Sequence, residues 1–384
     1  MTELTMKVLG PGVWSLPWLP ELVAFAPDER SVALHARADG WLRVWRLAEA
    51  RELLRWRARK PPSDLGWLGT EDLAVLHQGP PATLEVRAVP DGGLLGAWRV
   101  MQTRSPLTLA TAPSRARALL SSVLPSVYGR EGATALLFDG PELTPGPTLD
   151  AINTPANGPA PRRPGRMLQR AWLRADGDEV ALDVAYSLRE DDTRGPSVLL
   201  WRPGSAALRE LPLPLGARLR QLFWLDARRV LLARADALEA LVPGDPSPAW
   251  RLDTLDRSDL EVQPSLERAL LIDPTHRQAS WKVGLVTGAA RKVTLEGRRL
   301  AWSVWCHGDD ALATLGHEPS ALIIARWDAA RDRYAVAHRV PTGPAGAARL
   351  RRSPGGRYLL CPSGAGALMV DTSALPEGRV DVLY

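Results

Sequence analysis

The densest group of potential metal ligands in the sequence is Cys306-His307-Gly308-Asp309-Asp310. A structural zinc site needs paired Cys or His ligands at close spacing, with a second pair further along the chain. Here His317 follows His307 by ten residues, and Cys361 is isolated. The spacing therefore does not predict a metal site. We interpret the two aspartates as part of a turn between strands, where aspartate is favoured.

Compact catalytic and nucleotide-binding motifs are absent from the sequence. There is no Gly-x-Ser-x-Gly, which would place a nucleophilic serine on a sharp turn, and no glycine-rich phosphate loop. The richest acidic run, Glu190-Asp191-Asp192, could supply the paired carboxylates of a glycosidase, but its polar surroundings favour a solvated loop. We predict no catalytic residue, no bound metal and no cofactor.

Arginine supplies nearly all of the positive charge. Only four of the 48 basic residues are lysines, against 43 acidic residues, for a net charge of +5 over 384 residues. This is a weak field for binding nucleic acid, and the nucleic-acid hypothesis rests on the arginines alone. Together with the abundant Ala, Leu, Gly and Pro, the arginines indicate the codon bias of a GC-rich bacterial genome. We expect no nucleic-acid partner.

The composition and the N-terminal sequence point to the cytoplasm. Two cysteines, Cys306 and Cys361, are too few for a disulfide scaffold. The first twenty residues lack the basic and apolar regions of a signal peptide, and Pro11 and Pro17 interrupt them. No segment approaches the roughly 18 consecutive apolar residues of a membrane span. We therefore predict reduced thiols, a cytoplasmic location and no membrane insertion.

A repeated unit organises the chain and must position any site. Residues 22–59 contain four short apolar runs separated by turns, and one of these turns is Asp39-Gly40, a dipeptide that tight hairpins prefer. Four short strands joined by short turns form one antiparallel sheet. The turn-and-strand half recurs at 175–182 and 353–360.

Extending this pattern places unit starts near residues 21, 64, 106, 168, 218, 258, 299 and 347. The sequence thus predicts an all-β fold of about eight four-stranded units, with residues 1–384 as one domain. Seven units is the alternative, because the unit at 106–149 is weakly defined. Twelve of the fifteen tryptophans fall on or beside the predicted strands, where we expect them to pack the core. They are Trp41, Trp45, Trp56, Trp67, Trp98, Trp172, Trp201, Trp224, Trp250, Trp281, Trp302 and Trp305.

These units resemble the blades of the WD-repeat β-propeller family, in a degenerate and bacterial form. Trp45-Arg46 and Trp201-Arg202 stand where the family has its Trp-Asp pair, and Arg326-Trp327-Asp328 supplies the literal dipeptide. The hydrogen-bonded network of the family is incomplete, since Ala36 occupies its Ser/Thr position. The resemblance implies a single closed propeller that binds proteins through its loops and faces. We expect Thr5–Leu9 to close the ring as an outer strand that pairs the chain start with its end.

One long segment, residues 150–167, interrupts the repeat. It is rich in Pro, Asn and Gly, and it carries Arg162, Arg163 and Arg166, which can pair with carboxylates of a partner protein. We predict that these arginines bind a partner. The function that follows is a non-catalytic scaffold for protein–protein interaction, a subunit of a bacterial multiprotein complex. The alternative is a propeller hydrolase or lyase with its site in the central channel.

Overall fold

The computed structural model describes most of the chain, and the structural statements below concern these described residues. They are residues 6–37, 39–79, 81–101, 107–112, 114–122, 135–139, 166–186, 196–205, 208–214, 217–245, 247–253, 259–272, 280–296, 303–306, 311–317, 320–343, 349–364, 366–375 and 378–379. All named elements in these ranges are β-strands. The chain forms two compact units: unit 1 comprises Met1–Arg57 and Trp250–Tyr384, and unit 2 comprises Ala58–Ala249.

The N-terminal part of unit 1 contains short strands separated by tight turns. They are β1 (Lys7–Gly10), β2 (Val13–Leu16), β3 (Leu22–Phe25), β4 (Ser31–His35), β5 (Trp41–Arg46) and β6 (Arg51–Arg57). β3 to β6 form an antiparallel sheet in sequence order. The five residues between β4 and β5 include the predicted Asp39-Gly40 turn, in which Gly40 has a φ of +70°, a conformation that glycine adopts without steric cost.

Unit 2 repeats the same meander. Its strands are β7 (Pro62–Leu68), β8 (Asp72–His77), β9 (Ala82–Ala88), β10 (Leu94–Met101), β11 (Leu107–Ala112), β12 (Arg117–Ser122), β13 (Ala135–Asp139), β14 (Arg166–Leu173), β15 (Val180–Tyr186), β16 (Ser197–Trp201), β17 (Leu208–Pro212), β18 (Leu219–Trp224), β19 (Val230–Arg234) and β20 (Ala237–Leu241). They form antiparallel sheets from β7–β10, β11–β13, β14–β17 and β18–β20.

The C-terminal part of unit 1 completes the series. Its strands are β21 (Trp250–Asp253), β22 (Asp259–Val262), β23 (Arg268–Ile272), β24 (Ser280–Gly284), β25 (Ala290–Val293), β26 (Ser303–Trp305), β27 (Ala311–His317), β28 (Ser320–Asp328), β29 (Arg333–Pro341), β30 (Arg351–Arg352), β31 (Tyr358–Ser363), β32 (Gly366–Asp371) and β33 (Gly378–Arg379). β22 to β25 form one sheet, and β26 to β29 form another with β33 added at its edge.

The eighth sheet joins the two ends of the chain in the order β1-β2-β32-β31-β30. β2 pairs antiparallel with β32, from Val13 opposite Val370 to Leu16 opposite Ala367. The predicted closure by the N-terminal segment is therefore confirmed, with one correction. The expected strand at Thr5–Leu9 corresponds to β1, which is the fifth and outermost strand, while β2 makes the contact with the chain end.

Eight sheets confirm the larger of the two predicted counts, and their first strands begin within four residues of the predicted starts. The weak unit at 106–149 is real, since β11, β12 and β13 pair in register. Trp302 lies outside the described residues, but the other tryptophans expected near strands lie in strands.

Apolar side chains on both faces of the inner strands build the cores of the two units. Val32 and Leu34 of β4, for example, pack with Tyr358 and Leu360 of β31 in a cluster that also holds Trp45. All five residues of β4, and likewise of β19, are buried. Because these strands have neighbours on both faces, their sequences read as continuous apolar runs rather than as alternating ones.

Candidate interaction sites

The strand register shows which residue occupies the Trp-Asp position of each sheet. Arg46 pairs with Ser31, the first residue of β4. The equivalent cross-strand pairs are Ala311 with Arg326 and Tyr358 with Asp371. The literal Trp327-Asp328 therefore lies two residues beyond the family position, which Ala325-Arg326 fills. This corrects the sequence-based assignment: the position holds arginine in several sheets and aspartate in the closing sheet.

In unit 2 the same position is Arg202, because its neighbour Trp201 pairs with Val180. Arg202 lies opposite Glu179, the residue before β15. The Glu179 carboxylate is 2% exposed and accepts hydrogen bonds from Arg202 Nε at 3.2 Å, from Arg209 of β17, and from the Trp224 indole of β18 at 2.8 Å. A single buried carboxylate thus links the sheets β14–β17 and β18–β20. We call Glu179, Arg202 and Arg209 the Glu179 cluster.

Charged residues of two turns extend this cluster. Arg174 donates to Asp176 Oδ1 at 2.7 Å and lies within 3.9 Å of Glu179, while Arg115 pairs with Asp178 at 2.5 Å. Burial opposes ionisation of Asp176, but the hydrogen bonds from Arg174 and from the Asp178 amide outweigh it and hold the Asp176 pKa below its ordinary value. The lowered pKa keeps Asp176 ionised beside Arg174 at neutral pH.

Asp183 has a different environment. It lies on β15 beside Arg170 of β14, its cross-strand neighbour, and is 6% exposed. Burial raises its pKa to about 6, against the opposing charge of Arg170. Arg170 itself donates to the backbone oxygen of Arg220, so its charge is shared with another strand.

In unit 1 the predicted Asp39 turn is held by an arginine. Arg43 donates to Asp39 Oδ2 at 2.6 Å, its guanidinium carbon lies 5.2 Å from the Trp18 ring centroid, and Glu52 is 3.7 Å away. Arg43 is only 5% exposed. This cation–π and ion-pair arrangement takes the place of the hydrogen-bonded network that the WD-repeat resemblance led us to look for.

Two further charge contacts in unit 1 lie at the turns that precede the second strands. Glu29, with a φ of +58°, accepts hydrogen bonds from the Ser353 hydroxyl and from the Gly355 amide at 2.7 Å. Arg357 pairs with Asp371 at 2.8 Å, and this contact holds the Arg357 pKa above its ordinary value. Both contacts fasten the closing sheet.

The first strands of unit 1 are not wholly apolar. Arg352 of β30 donates to Glu261 of β22 at 2.7 Å and to the Val262 carbonyl at 2.9 Å. Burial raises the Glu261 pKa, although Arg352 opposes the shift. The acidic residue of β22 is therefore paired with an arginine.

An aromatic box on unit 1 is filled by the chain itself. The Lys282 ammonium lies 5.9, 4.7 and 5.8 Å from the ring centroids of Trp305, Trp327 and Tyr334. Trp305 and Tyr334 are fully buried. The box therefore stabilises an internal lysine and offers no open platform for an external cation.

Several predicted residues can now be placed. Cys306 and Cys361 are free and buried, and burial raises both thiol pKa values to about 12. Arg166 begins β14 opposite Tyr186, so the irregular segment stops before it, while Arg162, Arg163 and the rest of 150–165 lie outside the described residues. So do His307, Asp309, Asp310 and Glu190-Asp191-Asp192.

Two features are absent from the described part of the chain. No group of three or more His, Cys, Asp or Glu side chains there could hold a metal ion. No helix among those residues is long and apolar enough to cross a membrane.

The Glu179 cluster is the site that sequence reasoning missed. Its members come from three segments, and only the register of β15 with β16 brings Arg202 opposite Glu179. The sequence signal available for this site was Trp201-Arg202. The WD-repeat family has aspartate where this chain has Arg202, and an arginine there indicates an acidic partner.

Solved structures similar to this chain include propellers. A computationally designed protein, Ika8, matches with a TM-score of 0.61 and 12% identity over 96% of this chain and 98% of its own. The Dos1 propeller matches with a TM-score of 0.55, 12% identity and the same coverage. The β-propeller domain of Cps50 (Swd1) from Myceliophteria thermophila matches with a TM-score of 0.53 and 15% identity over 80% of this chain and 97% of its own.

No family model matches the sequence, and no curated protein does. The likeness at these identities establishes the fold alone. With eight described sheets and neighbours of WD40 type, the chain has the fold of an eight-bladed β-propeller.

Proposed function

We propose that this protein is a non-catalytic scaffold for protein–protein interaction and a cytoplasmic subunit of a bacterial multiprotein complex. The observation that carries the proposal is the propeller fold with WD40-type neighbours, since such propellers are typically interaction scaffolds. A fold hosts many functions, so the described side chains must also be compatible with this one.

The described charges support binding rather than chemistry. Glu179, Asp39 and Glu261 are each held by arginines, and both cysteines are buried with pKa values of about 12, where a thiol is a poor nucleophile. Exposed arginines and scattered exposed apolar side chains, among them Leu94, Leu95 and Trp281, are groups that protein interfaces use.

The segment at 150–167 belongs to this proposal as a partner-binding loop. Arg162, Arg163 and Arg166 supply planar donors for carboxylates of another protein. The prolines at 155, 159, 161 and 164 limit the entropy that ordering would cost.

The experiment is isolation of the tagged protein from its native cells, with the wild-type chain beside a variant in which Asn153–Pro164 is replaced by a Gly-Ser linker. We expect the wild type to retain one or more proteins at fixed stoichiometry, and the variant to lose at least one of them with an unchanged melting temperature. Identical partners for both chains would show that the loop takes no part. The absence of any stoichiometric partner would contradict the scaffold function.

A further inference from the structure

The Glu179 cluster leaves two arginines with free donors at the surface. The Arg202 and Arg209 side chains are 57% and 41% exposed, whereas the carboxylate that anchors them is 2% exposed. Arg202 uses Nε and Arg209 uses one terminal nitrogen for that anchor. No further partner of either guanidinium lies among the described residues.

The anchoring preorganises the two cations. An unrestrained surface arginine loses side-chain entropy when it binds a ligand. Here one buried acceptor oxygen, Glu179 Oε1, receives both arginines, and the Trp224 indole fixes the other oxygen at 2.8 Å. The two guanidinium groups are therefore held close together before any ligand arrives.

The charge of the surroundings favours an anion. Around Glu179 the described ion pairs join four arginines, Arg115, Arg174, Arg202 and Arg209, to three carboxylates. Two guanidinium groups held together by one carboxylate attract a second carboxylate. The planar guanidinium group of arginine also matches the geometry of a carboxylate.

We propose that Arg202 and Arg209 form a docking site for an acidic segment of a partner protein, in which Asp or Glu carboxylates bind the two guanidinium groups. This proposal rests on the scaffold function proposed above and names the chemistry of one partner. Arg202 takes this role because arginine replaces aspartate at the Trp-Asp position of its sheet.

The test measures fluorescence anisotropy of a labelled peptide of repeated Glu-Leu-Ser units, at low salt. We expect the wild-type protein to bind it, and Arg202→Gln and Arg209→Gln each to weaken binding about tenfold or more, because each removes a charge-assisted hydrogen bond. Arg99→Gln, which removes an exposed arginine of β10, is the matched control and should leave binding unchanged. Arg202→Lys keeps the charge but loses the fork, so it should fall between wild type and Arg202→Gln.

Two further peptides fix the chemistry. A twin with Gln for Glu should not bind. A twin with Gln for Glu and phosphoserine for Ser tests phosphate as the source of the anion, and tight binding of this peptide alone would overturn the carboxylate assignment. Equal binding by wild type and Arg202→Gln, or no binding of the Glu peptide, would overturn the site.

If Arg209→Gln lowers the melting temperature, the more exposed Arg202→Gln decides the outcome, since Glu179 then retains Arg209 and Trp224. Native partners that persist in Arg202→Gln while the Glu peptide fails to bind would refute this site and leave the scaffold function standing.

Discussion

The most unusual titrating residue of the described chain is Asp183, whose pKa is raised to about 6 by burial. A carboxyl with a folded pKa above its unfolded value of 3.8 binds more protons in the folded state. The contribution of Asp183 to the free energy of unfolding is therefore most favourable below pH 4, and it is lost as the pH rises through 6. Asp183→Asn should remove this loss and raise the free energy of unfolding above pH 7 by up to about 3 kcal/mol.

Urea titrations of wild type and Asp183→Asn between pH 4 and pH 8 measure this effect. Asp253→Asn is the control, because the Asp253 side chain is 80% exposed. This substitution should leave the pH dependence of the free energy of unfolding unchanged. If the free energies of unfolding of wild type and Asp183→Asn changed with pH in parallel, folding would not raise the pKa of Asp183.

Glu179 should be the most costly acidic residue to remove. Glu179→Ala removes the anchor of Arg202 and Arg209 and leaves the Trp224 indole without its acceptor, and a buried donor that loses its acceptor costs about 1–3 kcal/mol. Asp253→Ala breaks an exposed pair with Arg251 and should cost under about 1 kcal/mol. Equal unfolding midpoints in urea for the two variants would contradict the role of Glu179 as the common acceptor of the Glu179 cluster.

The sequence predicted the chemical state of the cysteines but not the contacts of Glu179. Cys306 and Cys361 are free and buried; the sequence predicted reduced thiols but not their burial. Glu179 was not singled out, because its partners Arg202, Arg209 and Trp224 are 23, 30 and 45 residues away. Their convergence depends on strand register, and a shift of one residue would turn each side chain to the other face.

At the scale of the elements, the protein covers its longest outer strand. β29 runs for nine residues, and two extended segments of the chain pair with its edge in parallel. Leu295 forms a bridge with Tyr334, and β33 pairs with His338 and Arg339. Covering an edge in this way prevents strand pairing with other chains.

The strand that joins the chain ends gives an element-scale prediction. Gly366 begins β32, and a Cβ there would overlap the backbone carbonyl oxygen of Leu16 at the end of β2. Gly366→Ala should therefore displace β2 and cost about 1–3 kcal/mol, as overpacking does. Gly10→Ala in β1 meets open space and is the control. Thermal melts in which both variants match the wild type would contradict the placement of β2.

The starts of many strands were predictable because they follow from a local pattern, an apolar run after a turn. β3 and β31 show this clearly, at Leu22 and Tyr358. β2 escaped prediction because its four residues lie between Gly12 and Pro17, so the sequence reads as a turn. Its strand conformation comes from pairing with β32, more than 350 residues later, and tertiary contacts of this kind leave no local signal.

For the whole molecule we propose a single cooperative domain of residues 1–384, closed by β1 and β2. Deleting residues 1–10 removes β1 and should lower the melting temperature by several degrees. Deleting residues 1–18 also removes Val13, Trp14, Leu16 and Trp18, all of them buried, and should lower it much further. Calorimetry checks both, and a wild-type melt in two separated transitions would contradict the single domain.

We propose above that this propeller binds other proteins. The most direct test is native mass spectrometry, which measures the intact mass of the particle isolated from its native cells. The scaffold function predicts the mass of this chain plus whole-number copies of at least one other protein. A mass equal to this chain alone, or to multiples of it, would contradict the function proposed for it.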